Sequence, residues 1–238
     1  MKKIIGLSTL ALLSYFSLQA QSTTNTSTQE TSEIAKPSRD FVLLQLGYNG
    51  WNQASGTDID LKGFSRSFAG YLCYDFLLGK KETSNFSFAI GVGVSSSNFQ
   101  LKNTKAELNI SSPEILFNAF DSTYKRSKLN VTYLEAPLEI RYFSNKINRN
   151  KGFKFAAGVR VGYLVNTNSK IKHLVGNNWV TTKESSKRYT QTWKFAPTVR
   201  VGWGNFSVFG SYNLTSVFKD ANGPELYPYQ IGIAITGL

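Results

Sequence analysis

Apolar residues recur at every second position over four stretches of the chain. In 86–95, Phe86, Phe88, Ile90, Val92 and Val94 share one side, and Ser87, Ala89, Gly91, Gly93 and Ser95 take the other. In 153–163, Phe153, Phe155, Ala157, Val159, Val161 and Tyr163 oppose Lys154, Ala156, Gly158, Arg160 and Gly162. Residues 193–203 and 227–236 repeat the scheme, and weaker alternation runs through 41–51, 64–77, 131–143 and 206–218. Successive side chains of a strand point to opposite faces, so the pattern predicts eight strands, each with one apolar face and one face of small residues and isolated charges. KFAAGVRVGY (154–163) and KFAPTVRVGW (194–203) match at seven of ten positions. Two strands solving the same two-faced problem explain the match, and a repeat architecture is not predicted.

The connections differ in length. GKKETSN, SNKINRN and Gly204-Asn205 are short, whereas 49–62, 98–128, 166–188 and 217–226 are long. Gly-Asn is a two-residue hairpin signal that pairs Trp203 with Phe206 and Gly202 with Ser207. Ser112-Pro113-Glu114 before Ile115-Leu116-Phe117 reads as a short helix start within 98–128. Short and long connections at opposite ends of an even number of strands predict an all-β fold, an eight-stranded antiparallel up-and-down transmembrane β-barrel. Ten tilted residues span about 25 Å, and lipid offers an open sheet edge no hydrogen-bond partner. Aromatic residues cluster at strand ends, among them Tyr48, Trp51, Tyr74, Phe76, Phe153, Tyr163, Trp193 and Trp203. The rival is a soluble secreted ligand carrier of lipocalin type, which alternates too but turns its apolar face inward. The mostly Gly, Ala and Ser face suits a crowded lumen better than a solvated exterior.

Upstream of the strands, MKKIIGLSTLALLSYFSLQA (1–20) has the lysines, apolar run and small-residue exit of a secretory signal peptide; a retained anchor is the alternative. Residues 21–39 are polar and Ser/Thr-rich, a flexible leader, which leaves 40–238 as the barrel domain. The 238 residues carry 27 Lys and Arg against 15 Asp and Glu, a formal net charge of +12. A single cysteine, Cys73, excludes a disulfide framework, and the alternation places it on the inward face. The single histidine, His173, falls in the basic connection 166–188 with no strand to hold it. No HExxH, CxxC, P-loop or calcium-loop motif occurs, so neither an enzyme nor a cofactor is expected.

VTYLEAPLEIRYF (131–143), GVRVGYLV (158–165), FGSYNLTSVFK (209–219) and YPYQIGIAI (227–235) resemble the strands of small PorT-like outer-membrane β-barrel proteins. The resemblance covers 40–238. It implies a barrel in the cell outer membrane of a Gram-negative envelope, with periplasmic termini, short periplasmic turns and long extracellular loops. It also brings in, as an alternative to a structural, surface-interaction or accessory role, a component of a protein secretion or transport system.

If Leu134, Ala136, Leu138, Ile140 and Tyr142 face lipid, then Glu135, Glu139 and Arg141 face the lumen, as do Asp75, Lys154, Arg160, Lys194 and Arg200. A hairpin centred between 147 and 148 sets Glu135 across from Arg160. The expectation is a plug of ion pairs that closes the barrel, because buried charges need partners. The remaining base is spread over both ends rather than gathered on one face, which argues against nucleic acid. Lys170, Lys172, Lys183, Lys187 and Arg188 are candidate contacts for outer-membrane lipid and lipopolysaccharide headgroups. Any protein partner would meet the extracellular loops or periplasmic turns.

Overall fold

The computed structural model describes residues 41–54, 59–79, 84–108, 111–119, 124–220 and 222–237; the expected signal peptide (1–20) and leader (21–39) lie outside them. The described residues form eleven strands: β1 (Val42–Gln53), β2 (Arg66–Leu77), β3 (Phe86–Leu101), β4 (Thr104–Glu107), β5 (Leu116–Ala119), β6 (Tyr124–Phe143), β7 (Phe153–Val175), β8 (Asn178–Ser185), β9 (Trp193–Trp203), β10 (Phe206–Tyr212) and β11 (Leu226–Thr236). The fold is an antiparallel all-β barrel. Pairing runs β6–β3–β2–β1–β11–β10–β9–β7, and β6 pairs β7 as well. β8 extends the far end of β7, while β4 and β5 form a separate two-stranded sheet.

The alternation sorts the two faces. Leu72, Val92, Leu134, Ile140, Val199, Val208 and Ile233 are exposed, whereas Asp75, Glu135, Glu139, Arg141 and Lys194 are at most 3% exposed. That is the inverse of a lipocalin-type carrier over these segments. The Gly204-Asn205 turn pairs Trp203 with Phe206 and Gly202 with Ser207, with Gly204 at φ +60°. A positive φ at the first central residue is what a II′ hairpin turn needs and what glycine adopts without strain.

Several strands run past the apolar alternation, and there the polarity of the faces reverses. On β3 the inward residues change from Ser95 and Ser97 to the buried Phe99 and Leu101, and the opposite face changes from Val94 to Ser96, Asn98 and Gln100. β6 does the same, with Leu129, Val131 and Tyr133 inward against Lys128, Asn130 and Thr132. So 98–128 and 166–188 are not simply loops: β3 and β6 reach into the first, and the second is the β7–β8 hairpin. His173 accordingly sits on β7, paired with Val180 and Tyr124.

Three further expectations are corrected. Residues 116–119 are strand β5, paired with β4, rather than a helix. Glu114 N donates to Ser112 Oγ at 3.2 Å and Ile115 N donates to Asn222 O at 2.9 Å, which spends the first-turn donors outside any helix while Ile115 is buried. In the β6–β7 register Glu135 opposes Gly162, and Arg160 opposes Pro137. Asn145 Oδ1 accepts from the amides of Ile147 and Asn148, winding the turn so that the hairpin centre moves one position on. The resulting two-residue offset keeps every side chain on its predicted face, because strand faces repeat with period two. β10 ends at Tyr212, short of the predicted 218, and Phe218 instead bridges Thr190.

Candidate functional site

The inward face gathers charge from four strands and one turn. Asp75 on β2 accepts from Arg141 Nη1 and Arg149 Nη1, each at 2.8 Å, and from Ser87 Oγ at 3.4 Å. Glu139 Oε2 accepts from Arg141 Nε and Arg200 Nη2, each at 2.9 Å. The result is a continuous chain, Arg149–Asp75–Arg141–Glu139–Arg200, at the end with the short turns. Nearer the middle, Glu135 accepts from Lys194 Nζ at 2.7 Å, from Tyr71 OH at 2.6 Å and from Ser95 Oγ.

Register explains why Lys194, not Arg160, is the cation in contact with Glu135. Glu135, Gly162 and Lys194 lie in one row across β6, β7 and β9. A Cβ at Gly162 would sit 3.2 Å from both Glu135 Cγ and Lys194 Cβ, so glycine lets the two side chains close over the intervening strand. Arg160 Nη2 instead donates to Thr198 Oγ1 at 2.8 Å, and its guanidinium stands 5.5 Å from the ring centres of Tyr71 and Phe209. Lys154 Nζ donates to Thr236 Oγ1 at 3.2 Å and lies 5.6 Å from the Phe143 ring centre. Among the described residues six buried cations face three buried carboxylates, so hydroxyls and ring faces serve part of the cationic side.

Sequence reasoning missed two features of this interior. Arg149 belongs to the turn after β6, where the sequence reads Lys146, Arg149 and Lys151 without distinction, yet it is 1% exposed and joins Asp75. At the other end the long connections pack an apolar cap over the barrel, with Trp51, Phe99, Leu101, Leu129, Tyr189 and Phe218 among its buried members. Trp51 and Phe99 lie 4.9 Å apart, and the indole donates to Ile59 O at 3.1 Å. Tyr189 OH reaches Ser112 O at 2.9 Å and Tyr133 OH reaches Gln191 O at 3.0 Å. The signal was present as a reversal of alternation at Phe99 and Leu101, readable only once the inward face was known.

The candidate headgroup lysines separate. Lys170 opposes both Lys128 and Lys183, and Lys172 opposes Arg126, all on the outward side of the β6–β7–β8 sheet. Lys187 and Arg188 fall on the connection after β8, with the Arg188 guanidinium 5.5 Å from the Tyr189 ring centre. Burial, then the cations Arg126, Arg66 and Lys170, holds the Lys128 ammonium below the ordinary lysine range. The His173 ring lies 5.7 Å from that of Tyr124, and Cys73 is buried on the inward face. Among the described residues no group of three or more His, Cys, Asp or Glu side chains is placed to hold a metal ion.

No curated protein matches the sequence. Two crystal structures of Ail, the attachment invasion locus protein of Yersinia pestis, are similar to it. One shares 11% identity over 82% of this chain and 95% of that chain, with a TM-score of 0.39. The other, in complex with the heparin analogue sucrose octasulfate, shares 12% identity over 82% and 96%, with a TM-score of 0.37. Residues 16–219 match the outer membrane protein β-barrel domain, a match to that family at large and not to PorT specifically. The chain therefore belongs to the outer membrane protein β-barrel domain family.

Proposed function

We propose that this protein is an eight-stranded barrel closed on itself, spanning the outer membrane with its short turns in the periplasm and its long connections outside. Its role is structural or surface-interacting; it is neither a channel nor an enzyme. The observation that carries the reading is the two-faced wall, with exposed aliphatic residues on one face of the strands and, on β2, β6 and β9, buried, mutually bonded charges on the other. Exposed aliphatic bands are at home in hydrocarbon, and an inward charge in a narrow barrel is stabilised by a partner. The ion-pair chain occupies one end of the interior, and the apolar cap packs over the other. A translocating ion would have to break the pairs buried among the described residues.

Planar-bilayer recording tests this on the full mature chain, after heat-modifiable migration on unboiled gels has verified a folded barrel. The expected result is a folded barrel with no stable conductance. A stable open channel would overturn the closed-lumen reading.

A further inference from the structure

The barrel wall beyond the reversal of polarity carries a row of like charges. On its outward face Lys128, Lys170 and Lys183 stand directly opposite one another on β6, β7 and β8, and Arg126 opposes Lys172 in the next row. Like charges set directly across a sheet destabilise it, so this arrangement does nothing for the fold alone. Nor does a carboxylate within these rows relieve it. Glu184, next to Lys183 in sequence, points to the inward side, where its Oε2 accepts from Leu108 N at 2.8 Å. Among the described residues, burial first and then the cations Arg126, Arg66 and Lys170 disfavour the Lys128 ammonium.

Position selects the counter-charge. The even-numbered residues of β6 run without a break in facing from Ile140 and Leu134, exposed in the apolar band, through Thr132 and Asn130 to Lys128 and Arg126. Lys128 is four residues beyond Thr132, about 10 Å above the apolar edge for a tilted strand. Long lysine side chains spread further along the wall from there. Neighbouring strands lie about 4.8 Å apart, so three ammonium groups in one row present a compact polycation suited to clustered phosphates.

We propose that the outward face of β6–β7–β8 binds the phosphate groups of the phosphorylated glycolipid headgroups surrounding the barrel. This rests on the membrane-spanning reading above. The bound phosphates neutralise a face that the fold leaves repulsive, and binding therefore stabilises the folded barrel by linkage.

The test uses the full mature protein folded in phosphatidylcholine bilayers, titrated with bisphosphorylated lipid A, with lipid A stripped of phosphate, or with soluble tripolyphosphate. The readouts are the midpoint of the heat-modifiable transition and the lipid concentration that shifts it. Bisphosphorylated lipid A is expected to raise the midpoint and stripped lipid A to leave it unmoved. Replacing Lys128, Lys170 and Lys183 together by Gln weakens the response about a hundredfold, at the scale of headgroup attraction per lysine. The lipid-free midpoint of that variant stays equal to or above the parent's, because repulsion has been removed. Lys187→Gln with Arg188→Gln retains the full response. An undiminished response in the triple variant, an equal response to stripped lipid A, or tripolyphosphate acting as strongly as lipid A would each overturn the site. Absence of any heat-modifiable form in the parent would instead overturn the membrane reading beneath it.

Discussion

Glu135 is 1% exposed, and its charge is tolerated because Lys194, Tyr71 and Ser95 meet it. Removing one side of such a pair strands the other. Glu135→Leu should cost about 3–5 kcal/mol, whereas Glu135→Leu with Lys194→Met should recover most of that loss. Urea unfolding of the refolded barrel in detergent measures both, and a double variant as unstable as the single one would contradict the pairing. The face each charge occupies was legible from alternation, as Asp75, Glu139 and Arg200 illustrate. The partner of each charge was not, because partnership depends on register across two strands. Glycine at position 162 decides that Glu135 meets a residue two strands away rather than the one opposite.

The β4–β5 sheet depends on local charge. Lys105 Nζ lies 2.6 Å from Glu107 Oε1, with both side chains about one-fifth exposed. The hydrogen bond from Lys105 lowers the Glu107 carboxyl below the usual range, and the same bond raises Lys105. A depressed carboxyl stabilises the fold above its unfolded pKa, and that stabilisation is lost as pH falls through the lowered value. The raised lysine contributes below its ordinary range and loses that contribution as pH climbs through the raised value. Amide exchange followed by mass spectrometry should therefore show 104–107 and 116–119 opening faster in acid than at neutral pH, and Glu107→Gln should flatten the difference. This sheet escaped the sequence reading because its strands are four residues each, too short for a period to register. The apolar Ile115 that suggested a helix is held instead by the cap and by Asn222. Long two-faced elements such as β9 were read to the residue, since eleven alternating positions leave one consistent solution.

On the proposed membrane-spanning arrangement, the reversal of polarity along β3 and β6 is where hydrocarbon gives way to water, and aromatic side chains flank the band. Tyr163 and Trp193 pair at 5.4 Å near one edge, while Trp203 and Phe206 oppose each other at the other edge. Trp179, on the β8 extension, stands beyond the first edge with the Lys125 ammonium 5.2 Å from its ring centre. In bilayers containing brominated lipid, variants retaining Trp193 or Trp203 alone should be quenched, and one retaining Trp179 alone should not. Equal quenching of all three would displace the membrane from this band.

Strict alternation over ten or more residues determined four of the strands and the two faces of each, because facing is a property of the backbone period and needs no knowledge of neighbours. The two-residue turn was equally local, since Gly204 supplies the left-handed φ by itself. Pairing order, the offset that moved Glu135 from Arg160 to Gly162, the inward turn of Arg149 and the apolar cap were settled by contacts between residues far apart in the chain. So was the row of lysines on β6, β7 and β8, three charges that look scattered at 128, 170 and 183 until hydrogen bonding sets them side by side.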